Sequence, residues 1–247
     1  MTTVTIHQPD FAPWLGFFDR LNNADIFVVL DDAQFLKNGW HNRDKIKNTN
    51  GQPLWLTVPV LTKGRGLQKI NEVKINLNGN WKDKHLKTLY YCYKDCEHFK
   101  DVYWMVEIAY ASPEKSLLWF NFKLILNILE MLTNSTDKLY VYLASELGIK
   151  DKATNRLVKI CQHFGADKYL SGIGAKEYLE VEKFEKAGIE VVWQQFEHPV
   201  YPQQFGEFVS GLSALDYLFN CGPSELWRKK HGETMDRVLG EYERAEI

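Results

Sequence analysis

The chain has no large excess of either charge: 30 Lys and Arg stand against 32 Asp and Glu in 247 residues, a formal net charge of -2. That balance supplies no global field to draw it onto nucleic acid or an anionic membrane, and it leaves room only for local basic patches. Cysteine is scarce, with Cys92, Cys96, Cys161 and Cys221 as the full set. Cys92 and Cys96 lie one helical turn apart, and no CxxC or HxxxH pair completes a zinc set near them. The reading is free buried thiols and no metal ligands. Long apolar runs are missing as well. Leu117 to Leu132 is the longest, and Asn121, Lys123, Asn127 and Glu130 interrupt it, so no membrane insertion is expected. Met1 leads into a strand pattern without a basic-then-apolar leader, and the expected location is the cytoplasm. A GxSxG elbow, a Walker loop and an HExxH pair are all absent, so none of the mechanisms tied to them is favoured.

What is present describes a globular protein. Apolar residues make up 45% and charged residues 25%, enough to bury a core in one large domain or one and a half. Aromatics reach 14%, with eight Trp, which serve either the core or stacking platforms for a sugar or a base.

Periodicity then orders the chain. Val4 to Ile6 reads as a strand, and Trp14, Leu15, Phe17, Phe18 and Leu21 recur at helical spacing. "IFVVLDDAQF" is continuously apolar before its two aspartates, as in a strand covered on both faces. Together these form a βαβ unit. "NGWHNRDKIK" reads as a basic loop, "LWLTVPV" as a strand and "KINEVKINLN" as another short strand. Helical spacing runs over 81–93, 99–111 and 117–132. Strand and helix patterns resume with "KLYVYLASEL", "ATNRLVKICQHFGA" (Gly165 as its stop), "DKYLSGIGAKEYL" and "GIEVVWQQF". Two helical patterns close the chain, "VSGLSALDYLFNCG" and "PSELWRKKHGETMDRVLGEYERAE". The expected fold is α/β, with a mostly parallel sheet of Rossmann-like type. Its parts are residues 1–80, a helical lobe at 81–136, and 137–240 completing the α/β domain with closing helices. A homo-oligomer is left open.

Six groups of residues carry polar chemistry. In open parallel sheets ligands bind outside the carboxyl ends of the strands, which is where His7 and Gln8 of "IHQPDFAP" fall, unless they only cap a turn. Asp31 and Asp32, followed by Gln34, end the second strand and suit a cation, an amine or a sugar hydroxyl, or simply a cap. Trp40, Asn42 and Arg43 lie in the basic loop, a composition suited to a phosphate with a stacked ring. Lys84 and His85 sit near a helix start against the usual dipole preference, which a bound anion would explain. Ser171, Gly172 and Gly174 follow a strand, and glycines there let a backbone approach an anion, with Thr154 and Arg156 preceding them. His198, Tyr201 and Gln203 belong to a proline-fixed loop.

The segments "IHQPDFAPWLGFFDRL", "FVVLDDAQFLKNGWHNRDKI", "WLTVPV", "WKDKHLKTL", "YLSGIGAKEYL" and "HPVYPQQFGEFVSGLSALDYLFNCGP" together resemble the WbqC-like family over nearly the whole chain. Ala33 stands where a valine is expected, and Asn38-Gly39 where bulkier residues are common; neither removes a polar candidate. The resemblance implies work on nucleotide-linked sugars, amino sugars in particular, in O-antigen and other surface polysaccharide synthesis. Transfer of an acyl or aminoacyl group onto a dTDP- or UDP-linked amino sugar fits it, with acyl-CoA or aminoacyl-tRNA as the implied activated donor and no other cofactor assigned. The resemblance supplies no residue roles; chemistry assigns them. His7 is the general base, Asp32 orients it or the nucleophile, and His198 is a further catalytic candidate. The Ser171–Gly174 loop with Arg43 and Lys84 holds the diphosphate, and Trp40 stacks on a ring. The basic loop near Lys37 to Lys47 is where a tRNA donor would meet the protein, which the acidic balance disfavours. Two alternatives stand beside this. One is nucleotidyl transfer, by loose likeness to HxGH enzymes whose second histidine is missing here. The other is a non-catalytic sugar-nucleotide-binding partner subunit.

Overall fold

A computed structural model describes residues 1–133 and 139–223. Five parallel strands, β1 (Thr3–His7), β2 (Ile26–Val29), β5 (Tyr140–Leu143), β6 (Lys168–Ser171) and β7 (Glu190–Trp193), form one sheet in the order β5-β2-β1-β6-β7. The α/β class with a mostly parallel sheet is therefore as the patterning predicts. All four residues of β2 are buried, the reason its sequence is apolar without alternation.

Side chains of the strands divide between two cores. Phe27 and Val29 face a large one, which continues through α1 (Leu15–Asn22), α2 (Trp81–Tyr93), α3 (Phe99–Ala111), α4 (Leu117–Thr133) and α7 (Ala214–Cys221). Val4, Ile6, Ile26 and Val28 face a smaller one, built with α5 (Ala153–His163) and α6 (Val181–Lys186). Helix α5 stops as expected, with Gly165 just beyond it at φ +59°. The chain leaves β1 toward β2 on one side and enters β6 on the other, so strand order reverses between β1 and β6. That gap at their carboxyl ends is the topological switch point.

Three local expectations change. The stretch read as a basic loop becomes β3 (Arg43–Lys47), an antiparallel hairpin with β4 (Pro53–Thr57), because the Asn48–Gly51 turn lets every residue of β3 pair. "KINEVKINLN" forms no strand. It makes a 3-10 turn at Ile70–Glu72 and isolated bridges from Lys74 and Ile75, since its neighbours offer single pairings and no continuous edge. In "VSGLSALDYLFNCG" the helix begins only at Ala214, where the Ser213 hydroxyl accepts from Leu215 N and caps it. The last helical pattern, beyond Pro223, lies outside the described residues. No helix among the described residues is long and apolar enough to cross a membrane.

Candidate functional site

An open crevice of about 420 Å³ lies at the switch point. His7 from the end of β1 forms one wall, and Ser171, Gly172 and Gly174 after β6 form the opposite one. Trp14 and Phe196 add apolar surface, Tyr178 stands on the rim, and Arg20 of α1 reaches the crevice from the helix behind. Thus His7 and the glycine loop, predicted separately, are brought together by the parallel pairing of β1 with β6.

The chemistry of His7 follows from its contacts. Its Nδ1 is 2.9 Å from the Gln8 carbonyl oxygen, which only accepts, so Nδ1 carries the proton and Nε2 keeps a lone pair. Phe17 packs edge-on against the ring at 5.2 Å. Burial, then the positive charge of Arg20, pushes the imidazole down to about 3, so it is neutral at pH 7. Asp10 lies 3.8 Å from Nδ1 on the same loop. Burial pushes its carboxyl up to about 7, against the opposing pull of Arg20. One loop thus carries two titratable groups moved in opposite directions, a pattern of acid/base sites.

Gln8 takes a supporting position. Leu36 N–H donates to Nδ1 of His41, so His41 Nε2–H donates to Gln8 Oε1 at 2.9 Å. Asn121 from α4 donates to the carbonyls of both Pro9 and His41. The helical region therefore fixes the loop that bears His7.

The other candidates fall elsewhere. Asp31 is spoken for structurally, accepting from Ser145 N at 2.9 Å and from Asn71 Nδ2 at 2.8 Å. Asp32 is ion-paired with Arg156 Nη2 at 2.8 Å, so Arg156 rather than His7 is its partner. Thr154 is buried and accepts from Glu180 N, tying α5 to the segment before α6. Gln34 is exposed and bridges to Lys69. Asn42 is buried, donating to the Val58 carbonyl. Trp40 and Arg43 do not line the crevice. Trp40 packs at 5.3 Å from Trp55, and the Arg43 guanidinium lies 4.2 Å over the Trp55 ring, an aromatic and cationic surface on the hairpin. Lys84 is exposed on α2, away from the crevice lining. His85 is a core residue: it accepts from Thr57 N through Nε2, faces Tyr110 Oη at 3.1 Å through Nδ1, and is held down to about 4 by burial. His198 stacks behind Trp14, donating through Nδ1 to the Pro199 carbonyl. Tyr201 and Gln203 both donate to the buried carboxylate of Asp216. Among the described residues no three His, Cys, Asp or Glu side chains come together as metal ligands.

Arg20 and Asp10 escape a reading of the sequence alone, and so do Trp14 and Tyr178. Arg20 resembles an ordinary charge on an amphipathic helix; its signal is that its neighbours Phe17, Phe18 and Leu21 leave little polar face for it. Asp10 follows His7 by three residues, a spacing that a prolyl loop folds into contact.

Comparison with known proteins agrees with the sequence resemblance. Residues 8–228 match the WbqC-like protein family. An uncharacterized protein of Mycobacterium tuberculosis, Rv1507c, is 34% identical over 230 residues, covering 90% of this chain and 95% of that one. No solved structure gives a significant match.

Proposed function

The chain belongs to the WbqC-like protein family, and from that premise we propose that it is a transferase, moving an acyl or aminoacyl group onto the amine of a nucleotide-linked amino sugar for a bacterial surface polysaccharide such as O-antigen. The observation that supports this best is the open Nε2 lone pair of His7 in the switch-point crevice.

The reaction this geometry serves is short. The neutral sugar amine attacks the donor carbonyl carbon. As the C–N bond forms, the amine proton passes to Nε2. The imidazolium then returns that proton to the leaving atom, the ribose oxygen of aminoacyl-tRNA or the sulfur of acyl-CoA, as the C–O or C–S bond breaks. Burial disfavours the imidazolium, so the ring gives the proton up readily. Asp10, close to half-ionised at neutral pH, stabilises the transient cation from 3.8 Å.

The test is product detection by mass spectrometry, with dTDP- and UDP-linked amino sugars crossed against acyl-CoA and aminoacyl-tRNA. His7→Ala should lower turnover by about two to four orders of magnitude, the size of a general-base contribution. Wild-type turnover in a folded His7→Ala protein removes the assigned role. Sugar-nucleotide binding without product from any donor turns the reading into a non-catalytic partner subunit.

One observation favours a second reading. Asp10 sits where an HxGH motif has its second histidine, three residues after His7 and 3.8 Å from its Nδ1. Nucleotidyl transfer would then use ATP or another NTP and release pyrophosphate, which a coupled phosphate assay detects.

A further inference from the structure

A buried positive charge demands a partner, and Arg20 has none of the usual kind. It is 9% exposed, and its buried Nε has no hydrogen-bond partner. No carboxylate lies within ion-pair distance of it among the described residues. Asp10 and Asp19 act on it only through longer-range attraction. Phe17 offers its ring at 6.0 Å, the outer limit of a useful cation–π contact, which does not neutralise a charge. An uncompensated buried ion is costly and is retained where something else supplies the counter-charge. The surroundings point the same way. Arg20 lines the crevice together with Ser171, Gly172 and Gly174. A Cβ on Gly172 would sit 3.3 Å from the Arg20 Nη1, so the loop backbone lies directly against the guanidinium.

We propose that Arg20 is the anchor for a phosphoryl group, and that the switch-point crevice binds a phosphorylated, ring-bearing ligand of the nucleoside diphosphate class with its phosphate on this arginine. This rests on the reading of the crevice as the substrate site, and replaces Arg43 and Lys84 in the phosphate role. The planar fork of a guanidinium matches two phosphate oxygens at once. The glycine-loop backbone stands across the same cavity for a third oxygen. Trp14 and Phe196 supply the apolar wall that a base or sugar ring needs, and a volume of about 420 Å³ is in the range of small-molecule sites.

Isothermal titration of the full chain with pyrophosphate, UDP, inorganic phosphate and acetate tests this without turnover. Wild-type protein should bind pyrophosphate and UDP. Arg20→Gln should weaken both by about 10- to 100-fold, as loss of a charge-assisted bond implies. Arg20→Lys, which keeps the charge and loses the fork, should fall between. Melting of the ligand-free proteins is the control: Arg20→Gln should melt no lower than wild type, because it removes an unpaired buried charge. UDP affinity unchanged in a folded Arg20→Gln protein overturns the proposal, and so does a melting point lowered in Arg20→Gln without loss of affinity. Acetate competing as well as phosphate also overturns it, making the anchor a carboxylate site. Transfer failing while Arg20-dependent UDP binding persists would sink the transferase reading alone; transfer persisting with Arg20-independent binding would sink this one alone.

Discussion

At the scale of single residues, burial sets the protonation of this protein. Asp44 of β3 is 3% exposed, and burial pushes its carboxyl up to about 8, while Asp10 is pushed to about 7. His7, His41 and His85 all move the other way, mainly through burial. The signs differ in their consequences. Between about pH 4 and 6.5 the folded state holds fewer protons on its histidines than the unfolded chain does, so that contribution to stability rises with pH. From pH 3.8 up to about 8 the folded state holds more protons on the carboxyls, so theirs falls with pH. Above pH 6.5 the extra protons of the folded state sit on these carboxyls and, toward pH 8.5, on the cysteine thiols that burial also pushes up, and both lower stability as pH rises. Melting temperature should therefore decline from pH 6.5 to 8.5, and Asp44→Asn should flatten that decline while keeping an oxygen for Lys45 N–H. Identical slopes in the two proteins, followed by calorimetry, would dismiss burial of Asp44 as the cause.

At the scale of elements, the loop from β1 into α1 is built around one glycine. A Cβ at Gly16 would fall 2.3 Å from the Trp14 indole, so the ring lies over α1 only because Gly16 has no side chain. There the indole meets Phe196 edge-on at 5.5 Å and His198 face-on at 6.4 Å, making a wall of the crevice. Gly16→Ala gains about 1 kcal/mol of helix propensity and evicts the indole. Stability should hold or rise while UDP affinity falls, as followed by melting and by titration of tryptophan fluorescence. A parallel loss of both would mean that the indole is a strut of the fold instead.

Across the whole molecule, a buried polar knot joins distant segments. Asp216 of α7 accepts from Tyr93 of α2 at 2.7 Å, from Tyr201 at 2.8 Å and from Gln203 at 2.9 Å. Lys47 of β3 closes the knot, its backbone donating to Tyr93 Oη and its Nζ to the Gly206 and Glu207 carbonyls. Asp216→Ala would strand two buried hydroxyls and an amide. The expected cost is about 2–5 kcal/mol, against about 1 kcal/mol for Tyr201→Phe, which loses a single bond. Urea denaturation of both variants measures this difference, and equal costs would argue against a shared network.

The local patterns along the chain were sufficient for the class of the fold. Continuous apolar runs at 26–29, helical spacing over 81–133 and Gly165 after α5 depend on neighbours a few residues away, and these appear in the structure as read. They also placed His7 and the Ser171–Gly174 loop at strand ends, because strand ends and glycine turns are local signals. Strand order belongs to the tertiary structure alone. It set β1 beside β6, made those two stretches the walls of one crevice, and removed Trp40, Arg43 and Lys84 to other surfaces. It also gave Arg20 and Asp10 their meaning. A charge on a helix reads as solvated until packing takes its water away, and the desolvation that makes Arg20 an anion receptor exists only once β6 and its loop close over α1.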